Sequence, residues 1–344
     1  MRRLGIAAAL VSMLTAAGAM AQEPEVTLTV HHFLGPKAPA HASFIEPWAR
    51  RLEEQSDGRI RVEIYPSMAL GGKPPELYSQ VRDGVADVVW TLIGYTPGVF
   101  PRAEVFELPT VHRGSAEATT LAIQDLFDQI AEDFEDVQPI LIHTHAGQLI
   151  HMVDTPIDEV GDLAGMKLRI PSRTGAMLIE AWDAQPVGMP VPELPQALSK
   201  GAVDGTLIPF EIVLPLKVHE LTDYTIVGPD GQRFGTSVFA FLMNKERYGE
   251  LPDDLKAIID ANSGSAIAGD IGRIWDEVEA PGRDALVGSG SELLVITPEN
   301  MAAFDERAQQ VTTRWIEDMD GQGLDGQGLV DAATTAVAGH SSSN

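Results

Sequence analysis

The chain alternates short apolar runs with amphipathic stretches, and this order restricts its possible folds more than any other feature. Val26–His32, Ile60–Tyr65 and Ala86–Leu92 are rich in β-branched and aromatic residues and have the pattern of strands. Between them, Ala40–Gln55 and Pro74–Asp83 place apolar side chains at helical spacing. A strand that returns to its sheet through a helix runs parallel to the strand before it. The sequence therefore predicts an α/β fold with mostly parallel sheets covered by helices.

A second unit of the same kind follows in the C-terminal half of the chain. We expect strands in Leu163–Ile170 and Ser237–Asn244, and long helical regions over Pro252–Glu279 and Pro298–Asp318. A length of 344 residues suits two domains. The pattern predicts two lobes that exchange the chain near residues 146, 235 and 275. The predicted division is 22–146 with 235–274 for lobe I, 147–234 with 275–335 for lobe II, and 336–344 for a flexible tail.

The N-terminus has the composition of a secretory leader. Arg2 and Arg3 precede the apolar run Leu4–Leu14, and Ala19–Ala21 is a small-x-small cleavage site. The apolar run is too short for a spanning helix, and no later stretch reaches the roughly 18 uninterrupted apolar residues that a bilayer requires. We therefore expect cleavage after Ala21 and export to a bacterial periplasm.

The overall charge excludes several classes of partner. A total of 24 Lys and Arg residues against 50 Asp and Glu residues gives a net charge of −26. A surface this acidic repels phosphate backbones, so we expect no nucleic-acid partner. It also repels acidic solutes at long range, so any anion site has to be local and buried. The sequence contains no cysteine, which excludes disulfides, thiol catalysis and cysteine-ligated zinc.

A search for catalytic motifs indicates no enzyme. H-E-x-x-H, G-x-S-x-G and the phosphate-binding P-loop are all missing from the sequence. His143 and His145 would share one face of a strand, as metal ligands do, but no carboxylate motif converges on them. We therefore favour structural or pocket-lining roles for both, with no metal and no cofactor. Residues 321–326 match G-x-G-x-x-G but follow a helix rather than a strand, which favours a helix-capping loop over a dinucleotide site.

One arginine occupies the position where α/β proteins hold their ligands. Arg169 lies between Leu168 and Ile170 at the end of a predicted strand, directly before Pro171. The carboxyl edge of a parallel sheet is the usual ligand-binding edge of such folds. A guanidinium group there could donate two parallel hydrogen bonds to one carboxylate, and it would stay charged even when buried. The residues alone leave two other arrangements open, a solvent-facing side chain or an ion pair with a protein acid such as Glu211.

A series of short motifs extends over nearly the whole mature chain. They are Gly58–Ile60, Ile64–Ser67, Leu70-Gly71, Val81–Asp87, Glu107–Pro109, Gly165–Pro171, Gln185-Pro186, Met189-Pro190, Ala197-Leu198 and Gly201–Gly205. In content and order this series resembles the extracytoplasmic solute-binding subunits of TRAP transporters, the DctP family. The resemblance implies two hinged α/β lobes bridged by long helices, with the solute in the cleft between them. It also implies a monomer that delivers its solute to a membrane permease driven by an ion gradient.

The resemblance also implies which residues bind the solute. In that family the arginine of an L-R-[IV]-P segment grips the ligand carboxylate, and this segment maps onto Arg169. The chain departs from sugar-acid-binding members, because His145–Ile150 contains no second arginine and no asparagine follows Gly205 closely. One charged fork among apolar groups suits a small monocarboxylate, such as an aromatic, 2-oxo or short branched acid. Besides Arg169, the predicted pocket residues are Trp90, Leu92, Tyr95, Val191, Ile208, Phe210, His32, Phe33, His145, Gln148 and Phe234.

Two groups of alternatives stay open at this point. The same fold could bind a sugar acid, or could serve a sensor kinase or another type of transporter. A secreted hydrolase could instead use His143, His145 and an acid to hold a metal ion. The resemblance favours the TRAP receptor over both.

Overall fold

The computed structural model describes residues 23–341, which form two β-sheets with helices packed around them. The predicted leader, residues 1–21, and its cleavage site lie outside the described residues. The strands are β1 Val26–His32, β2 Ile60–Tyr65, β3 Val88–Leu92, β4 Val137–Thr144, β5 Leu149–Met152, β6 Lys167–Ile170, β7 Gln185–Gly188, β8 Gly205–Ile208, β9 Tyr224–Val227, β10 Val238–Asn244 and β11 Glu292–Val295. The helices are α1 Glu46–Gln55, α2 Leu77–Arg82, α3 Ala116–Asp125, α4 Phe127–Ile130, α5 Arg173–Ala181, α6 Leu194–Ser199, α7 Val213–Leu216, α8 Lys245–Glu250, α9 Asp253–Ala261, α10 Ser265–Glu277, α11 Glu279–Ser289, α12 Pro298–Gly321 and α13 Gly326–Ser341. None of the helices within residues 23–341 is long and apolar enough to cross a bilayer.

The first sheet holds five strands in the order β2-β1-β3-β10-β4. The central strand pairing is parallel, with Val30 of β1 opposite both Ile64 of β2 and Val88 of β3. Helices α1, α2, α3 and α10 pack against the strands of this sheet. All five residues of β3 are buried as a result, which explains its continuous apolar sequence.

The second sheet holds six strands in the order β11-β9-β5-β8-β6-β7. β6 pairs in parallel with β7 on one side and with β8 on the other. This register places Arg169 opposite Val187 and Thr206, one residue before the end of β6. Arg169 therefore lies at the carboxyl edge of the sheet, where the sequence predicted it.

Each sheet is mostly parallel, as predicted, and among residues 23–341 one strand in each runs against the others. β10 is antiparallel to both of its neighbours, β3 and β4. β5 is likewise antiparallel to β8 and β9. Both strands directly follow a segment that carries the chain from one sheet to the other. Such a strand enters its sheet at the edge that faces the other sheet, where the neighbouring parallel strands end. It therefore runs in the direction opposite to theirs.

The C-terminal helices divide their contacts between the two lobes. The predicted helical region Pro252–Glu279 is broken into α9 and α10, and only Val278 separates α10 from α11. α10 packs against α3, whereas α11 packs against the 3₁₀ turn Phe210–Ile212 beside the second sheet. Asp276 of α10 also accepts a hydrogen bond from the Ala116 N–H at the start of α3, at 2.6 Å. The chain thus changes lobes close to the predicted crossing near residue 275.

Helix α12 joins elements of both lobes through polar contacts. The indole N–H of Trp315 donates to Glu104 in the 3₁₀ turn Ala103–Glu107, at 3.3 Å. Arg173, the first residue of α5, forms ion pairs with Glu104 at 2.6 Å and with Asp318 of α12 at 2.8 Å. Since Glu104 belongs to the first lobe and α5 to the second, this network connects the two lobes behind the cleft.

The described part of the predicted flexible tail is helical, and residues 342–344 lie outside the described residues. Residues 336–341 continue α13, and the side chain of Val337 is fully buried. α13 packs against α3 and α12, so it lies against the first lobe rather than only the second. Its amphipathic pattern is weak because alanine and glycine fill much of it, and its burial depends on a helix far away in the sequence. The loop 322–325 separates α12 from α13, as the context of the G-x-G-x-x-G match predicted.

Candidate functional site

A cavity lies where the two sheets meet, and both sheets contribute to its lining. The carboxyl ends of β3, β6 and β8 border this cavity, and so do the chain segments that cross between the lobes. The predicted residues that line it are Phe33, Leu92, His145, Gln148, Arg169, Val191 and Ile208. Those that the sequence did not predict are Leu34, Pro171, Leu207, Pro209, Glu211, Ile212, Ser237 and Phe239.

Arg169 supplies the positive charge of the cavity. Its side chain is only 2% exposed, and Nε and Nη2 donate to the Met189 carbonyl oxygen at 3.0 and 2.8 Å. Among residues 23–341 it forms no ion pair with a carboxylate, so the side chain is neither solvent-facing nor paired with Glu211. Burial lowers the pKa of Arg169, although an arginine stays protonated. A buried charge without a counter-ion is costly, and an anionic ligand would remove that cost.

Tyr95 connects the first lobe to the second beside Arg169. It ends the 3₁₀ turn Ile93–Tyr95 after β3, and its hydroxyl accepts a hydrogen bond from the Val191 N–H at 2.8 Å. The hydroxyl also faces the Arg169 guanidinium group. Tyr95 is not among the residues that line the cavity, although it joins the lobes beside Arg169, and its contact with the ligand stays a prediction.

A stack of aromatic rings forms one wall of the cavity. Phe33 and Phe239 line the cavity, and both stack on Trp90 with ring centroids 5.0 and 4.6 Å apart. Trp90 lies behind them, and its indole N–H donates to Nε2 of His143 at 3.0 Å. Trp90 therefore supports the wall instead of lining it, which corrects its predicted role. Because both faces of β3 are buried, the sequence pattern could not show which face meets the cavity.

Polar side chains from the crossing segments lie at another part of the lining. Nε2 of Gln148 donates to Oγ of Ser237 at 2.9 Å. The His145 ring accepts the Ser237 N–H at Nε2, at 3.1 Å, and its Nδ1 lies 3.2 Å from Oγ1 of Thr236. Burial lowers the pKa of His145 well below its usual range, so the ring is neutral. The Gly147 N–H also lies 3.0 Å from Nδ1, so both ring nitrogens have protein groups beside them, and the hydrogen bond from His145 to the ligand stays a prediction.

Glu211 is an acidic residue among apolar neighbours in the cavity wall. It lies in the 3₁₀ turn Phe210–Ile212 that follows β8, and it is 7% exposed. Its backbone N–H donates to Oε1 of Glu279 at 2.9 Å, but its carboxyl group has no hydrogen-bond partner among the described residues. Burial and the charge of Glu279 raise the pKa of Glu211 well above its usual range. One sequence signal was available, since Glu211 is the only charged residue in the run Leu207–Leu216.

Three further predicted residues lie away from the cavity. His32 is fully buried, with Nε2 3.0 Å from Nδ1 of His41. The ring of Phe210 lies under the Arg233 guanidinium group, 5.3 Å from its ring centroid, and lines a separate cleft. Phe234 packs against other aromatic rings of the second lobe. His32 ends β1 next to Phe33, which does line the cavity, and neighbouring residues of an extended chain point to opposite sides.

The predicted metal alternative finds no support in the geometry around His143. Across residues 23–341, no three side chains of His, Asp or Glu are close enough together to hold a metal ion. His143 instead accepts the Trp90 hydrogen bond and meets the ring of Trp275 edge-on, with centroids 4.5 Å apart. Burial lowers the pKa of His143 to about 3, so this ring is a neutral part of the aromatic core.

Comparison with known protein families decides which family the chain belongs to. The model of the DctP family, described as bacterial extracellular solute-binding protein, family 7, matches residues 30–318. The chain belongs to this family. The resemblance to TRAP solute-binding subunits is thereby confirmed, and the protein is an extracytoplasmic solute-binding protein of the TRAP type.

Solved structures of TRAP solute-binding proteins are similar over most of both chains. One from a marine metagenome, described as specific for aromatic acid ligands and co-crystallised with 3-hydroxybenzoate, is 41% identical, with a TM-score of 0.90 and coverage of 92% of this chain and 99% of its own. One from Rhodoferax ferrireducens, with copurified benzoate, is 39% identical, with a TM-score of 0.89 and coverage of 92% and 98%. The outer membrane transporter protein TsaT of Comamonas testosteroni is 25% identical over 341 residues, or 96% of each chain. The similarity confirms the two-lobed α/β fold.

Proposed function

We propose that this protein is the periplasmic receptor of a TRAP transporter for a small aromatic monocarboxylate. The observation that carries the proposal is the buried guanidinium group of Arg169, which lines the cavity without a protein carboxylate as its partner. One edge of this group is held by the Met189 carbonyl oxygen through Nε and Nη2, which leaves Nη1 outside that contact. A carboxylate placed there would gain charge-assisted hydrogen bonds in a site shielded from water.

The rest of the lining favours an aromatic body for the ligand. Phe33 and Phe239 offer ring faces, and Leu92, Val191 and Ile208 offer aliphatic surface. A sugar acid presents several hydroxyl groups, and each one left without a partner against these side chains would cost about 1–3 kcal/mol. The similar proteins from the marine metagenome and from Rhodoferax ferrireducens were solved with 3-hydroxybenzoate and benzoate, which supports the same ligand class here.

The proposed mechanism is closure of the two lobes around the ligand. The Tyr95 hydroxyl meets the Val191 N–H, and Gly94 lies directly against Ser172, so the lobes touch beside Arg169. A ligand that bridges the two lobes binds the closed arrangement more tightly and shifts the population toward it. We propose that the closed form then docks as a monomer on the membrane permease, and that the leader is removed after Ala21 during export.

Titration calorimetry with purified mature protein tests the ligand class. Benzoate, phenylacetate and 3-hydroxybenzoate should bind, and D-glucuronate should bind far more weakly or not at all. Arg169→Met keeps the side-chain length but removes the charge, and we expect it to weaken binding by at least about 100-fold. Arg314→Met is the matched control, because Arg314 forms an exposed ion pair with Glu180, is not among the cavity-lining residues, and should leave affinity unchanged.

Two results would contradict the proposal. One is wild-type affinity in Arg169→Met, which would show that the guanidinium group does not hold the ligand. The other is a sugar acid that binds more tightly than every aromatic acid in the series. A thermal-shift screen gives an independent reading, because only a ligand that binds the folded protein raises its unfolding temperature.

A further inference from the structure

The cavity contains a second ionisable group that the proposed capture of a carboxylate does not use. Glu211 lines the cavity, is more than nine-tenths buried, and has a carboxyl group with no hydrogen-bond partner among residues 23–341. Burying a polar group without a partner costs free energy that an aliphatic side chain in the same place would not cost. The lining of the cavity therefore includes a carboxyl group that has no hydrogen-bond partner among residues 23–341.

The surrounding charges do not give Glu211 a structural role. The turn that carries it packs against α7 and α11, and the nearest charged group there is Glu279. Glu279 accepts the backbone N–H of Glu211 and forms an ion pair with Arg233 at 2.9 Å. The ion pair between Arg233 and Glu279 therefore forms without the Glu211 side chain. Arg169 also forms no ion pair with Glu211, so it remains available for the carboxylate of the ligand.

The protonation of Glu211 restricts the chemistry that it can recognise. Burial and the charge of Glu279 raise its pKa, which favours the neutral form, and a neutral carboxyl group offers one O–H donor and a carbonyl acceptor. A hydroxyl group matches this pair, because it can accept the first and donate to the second. The neighbouring lining residues Leu207, Pro209 and Ile212 are apolar, so they could not satisfy a ligand hydroxyl in place of Glu211.

We propose that the carboxyl group of Glu211 hydrogen-bonds a hydroxyl group on the ring of the bound acid, so that this receptor selects hydroxylated aromatic acids over unsubstituted ones. This inference rests on the proposed function. In this arrangement Arg169 binds the carboxylate and Glu211 binds the ring hydroxyl group. The aromatic wall of Phe33 and Phe239 packs against the ring.

The test compares benzoate with 2-, 3- and 4-hydroxybenzoate by titration calorimetry. Wild-type protein should bind one hydroxy isomer about tenfold more tightly than benzoate, which is the value of one hydrogen bond to a group otherwise left unpaired. Glu211→Met should reduce this ratio to about one, because its side chain offers no hydrogen bond to the hydroxyl group. Glu211→Gln should keep part of the preference, because an amide still donates and accepts. Glu306→Met is the control for net charge, since Glu306 is exposed in α12 and absent from the cavity lining, and it should leave the ratio unchanged.

The outcomes separate this inference from the proposed function. If the wild-type protein binds benzoate and all three hydroxy isomers equally, or if Glu211→Met keeps the preference, the role of Glu211 is wrong and the receptor assignment stands. If no aromatic acid binds the wild-type protein, the role of Glu211 and the proposed receptor function are both wrong. Should Glu211→Met fail to fold, the wild-type series and Glu211→Gln decide the question, because a preference that Gln abolishes entirely overturns the role of a neutral carboxyl group.

Discussion

Replacing Gly94 by alanine tests whether binding requires the two lobes to close. Gly94 lies in the turn after β3, and its backbone is not in the left-handed region, so alanine adds no local strain there. A Cβ atom would lie 2.6 Å from Cβ of Ser172, 3.0 Å from its Cα and 3.2 Å from the carbonyl oxygen of Pro171. Ser172 and Pro171 follow β6 of the second sheet. The overlap therefore exists only while the lobes are in contact.

The magnitude follows from the distances. Ordinary contact begins at 3.4 Å, so a Cβ at 2.6 Å requires a separation of at least 0.8 Å, and the atoms it meets are backbone and Cβ atoms with no freedom to rotate away. Overpacking of this kind typically costs about 1–3 kcal/mol. At about 1.4 kcal/mol per factor of ten, affinity should fall by about 5- to 150-fold. The loss should be the same for benzoate and for its hydroxy derivatives, unlike that in the Glu211 variants.

Calorimetry on wild type, Gly94→Ala and Gly249→Ala measures this effect. Gly249 lies in α8, and a methyl group added there would meet no atom within 4 Å, so its substitution is the same chemical change without the contact. The ligand-free Gly94→Ala protein should unfold at the wild-type temperature, because its open form carries no overlap. Wild-type affinity in Gly94→Ala would refute the reasoning. So would an unfolding temperature that drops equally with and without ligand.

Two further changes test the packing that supports the site. Burial raises the pKa of Glu107 to about 7, so its contribution to stability is complete below the unfolded value of 4.5 and is lost as the pH rises through 7. Relative to Glu107→Gln, wild type should therefore gain about 2–3 kcal/mol of unfolding free energy at pH 5 compared with pH 8 in urea titrations, and a pH-independent difference would contradict this. Val337 is fully buried in α13, so Val337→Ala should cost about 2 kcal/mol of unfolding free energy. The exposed Val287→Ala should cost almost nothing, and equal losses in the two variants would contradict the packing of α13.

Strands with a strong local pattern were predictable from the sequence. β1 and β2 have the predicted bounds, because each carries a run of residues of high strand propensity between turn residues. The strands β5, β9 and β11 were missed. Each has only four residues, and each forms because partners from distant parts of the chain pair with it. Such strands leave no periodic signal in the sequence.

The residues of the binding site also fall into some that the sequence predicted and others that it did not. Arg169 was predictable because a charged residue inside an apolar strand needs a reason, and the L-R-I-P motif supplied one. Trp90 and Tyr95 were predicted to line the cavity, but they support Phe33 and Arg169 from behind. Phe239 was not predicted, because every residue of β10 is buried and alternation cannot separate a cavity-facing ring from a core ring.

The sequence by itself determined the alternation of strands and helices, the acidic and cysteine-free composition, and the single arginine at a strand end. These are local properties, set by residue type and spacing along the chain. Only the tertiary structure decided which buried side chains meet empty space and which meet protein. The cavity joins residues as far apart as Phe33, Gln148, Glu211 and Phe239, and their proximity arises only when two sheets and three chain crossings come together. Whether a buried charge such as Arg169 or Glu211 has a partner depends on that assembly, because a hydrogen bond is decided by distances of a few ångströms across it.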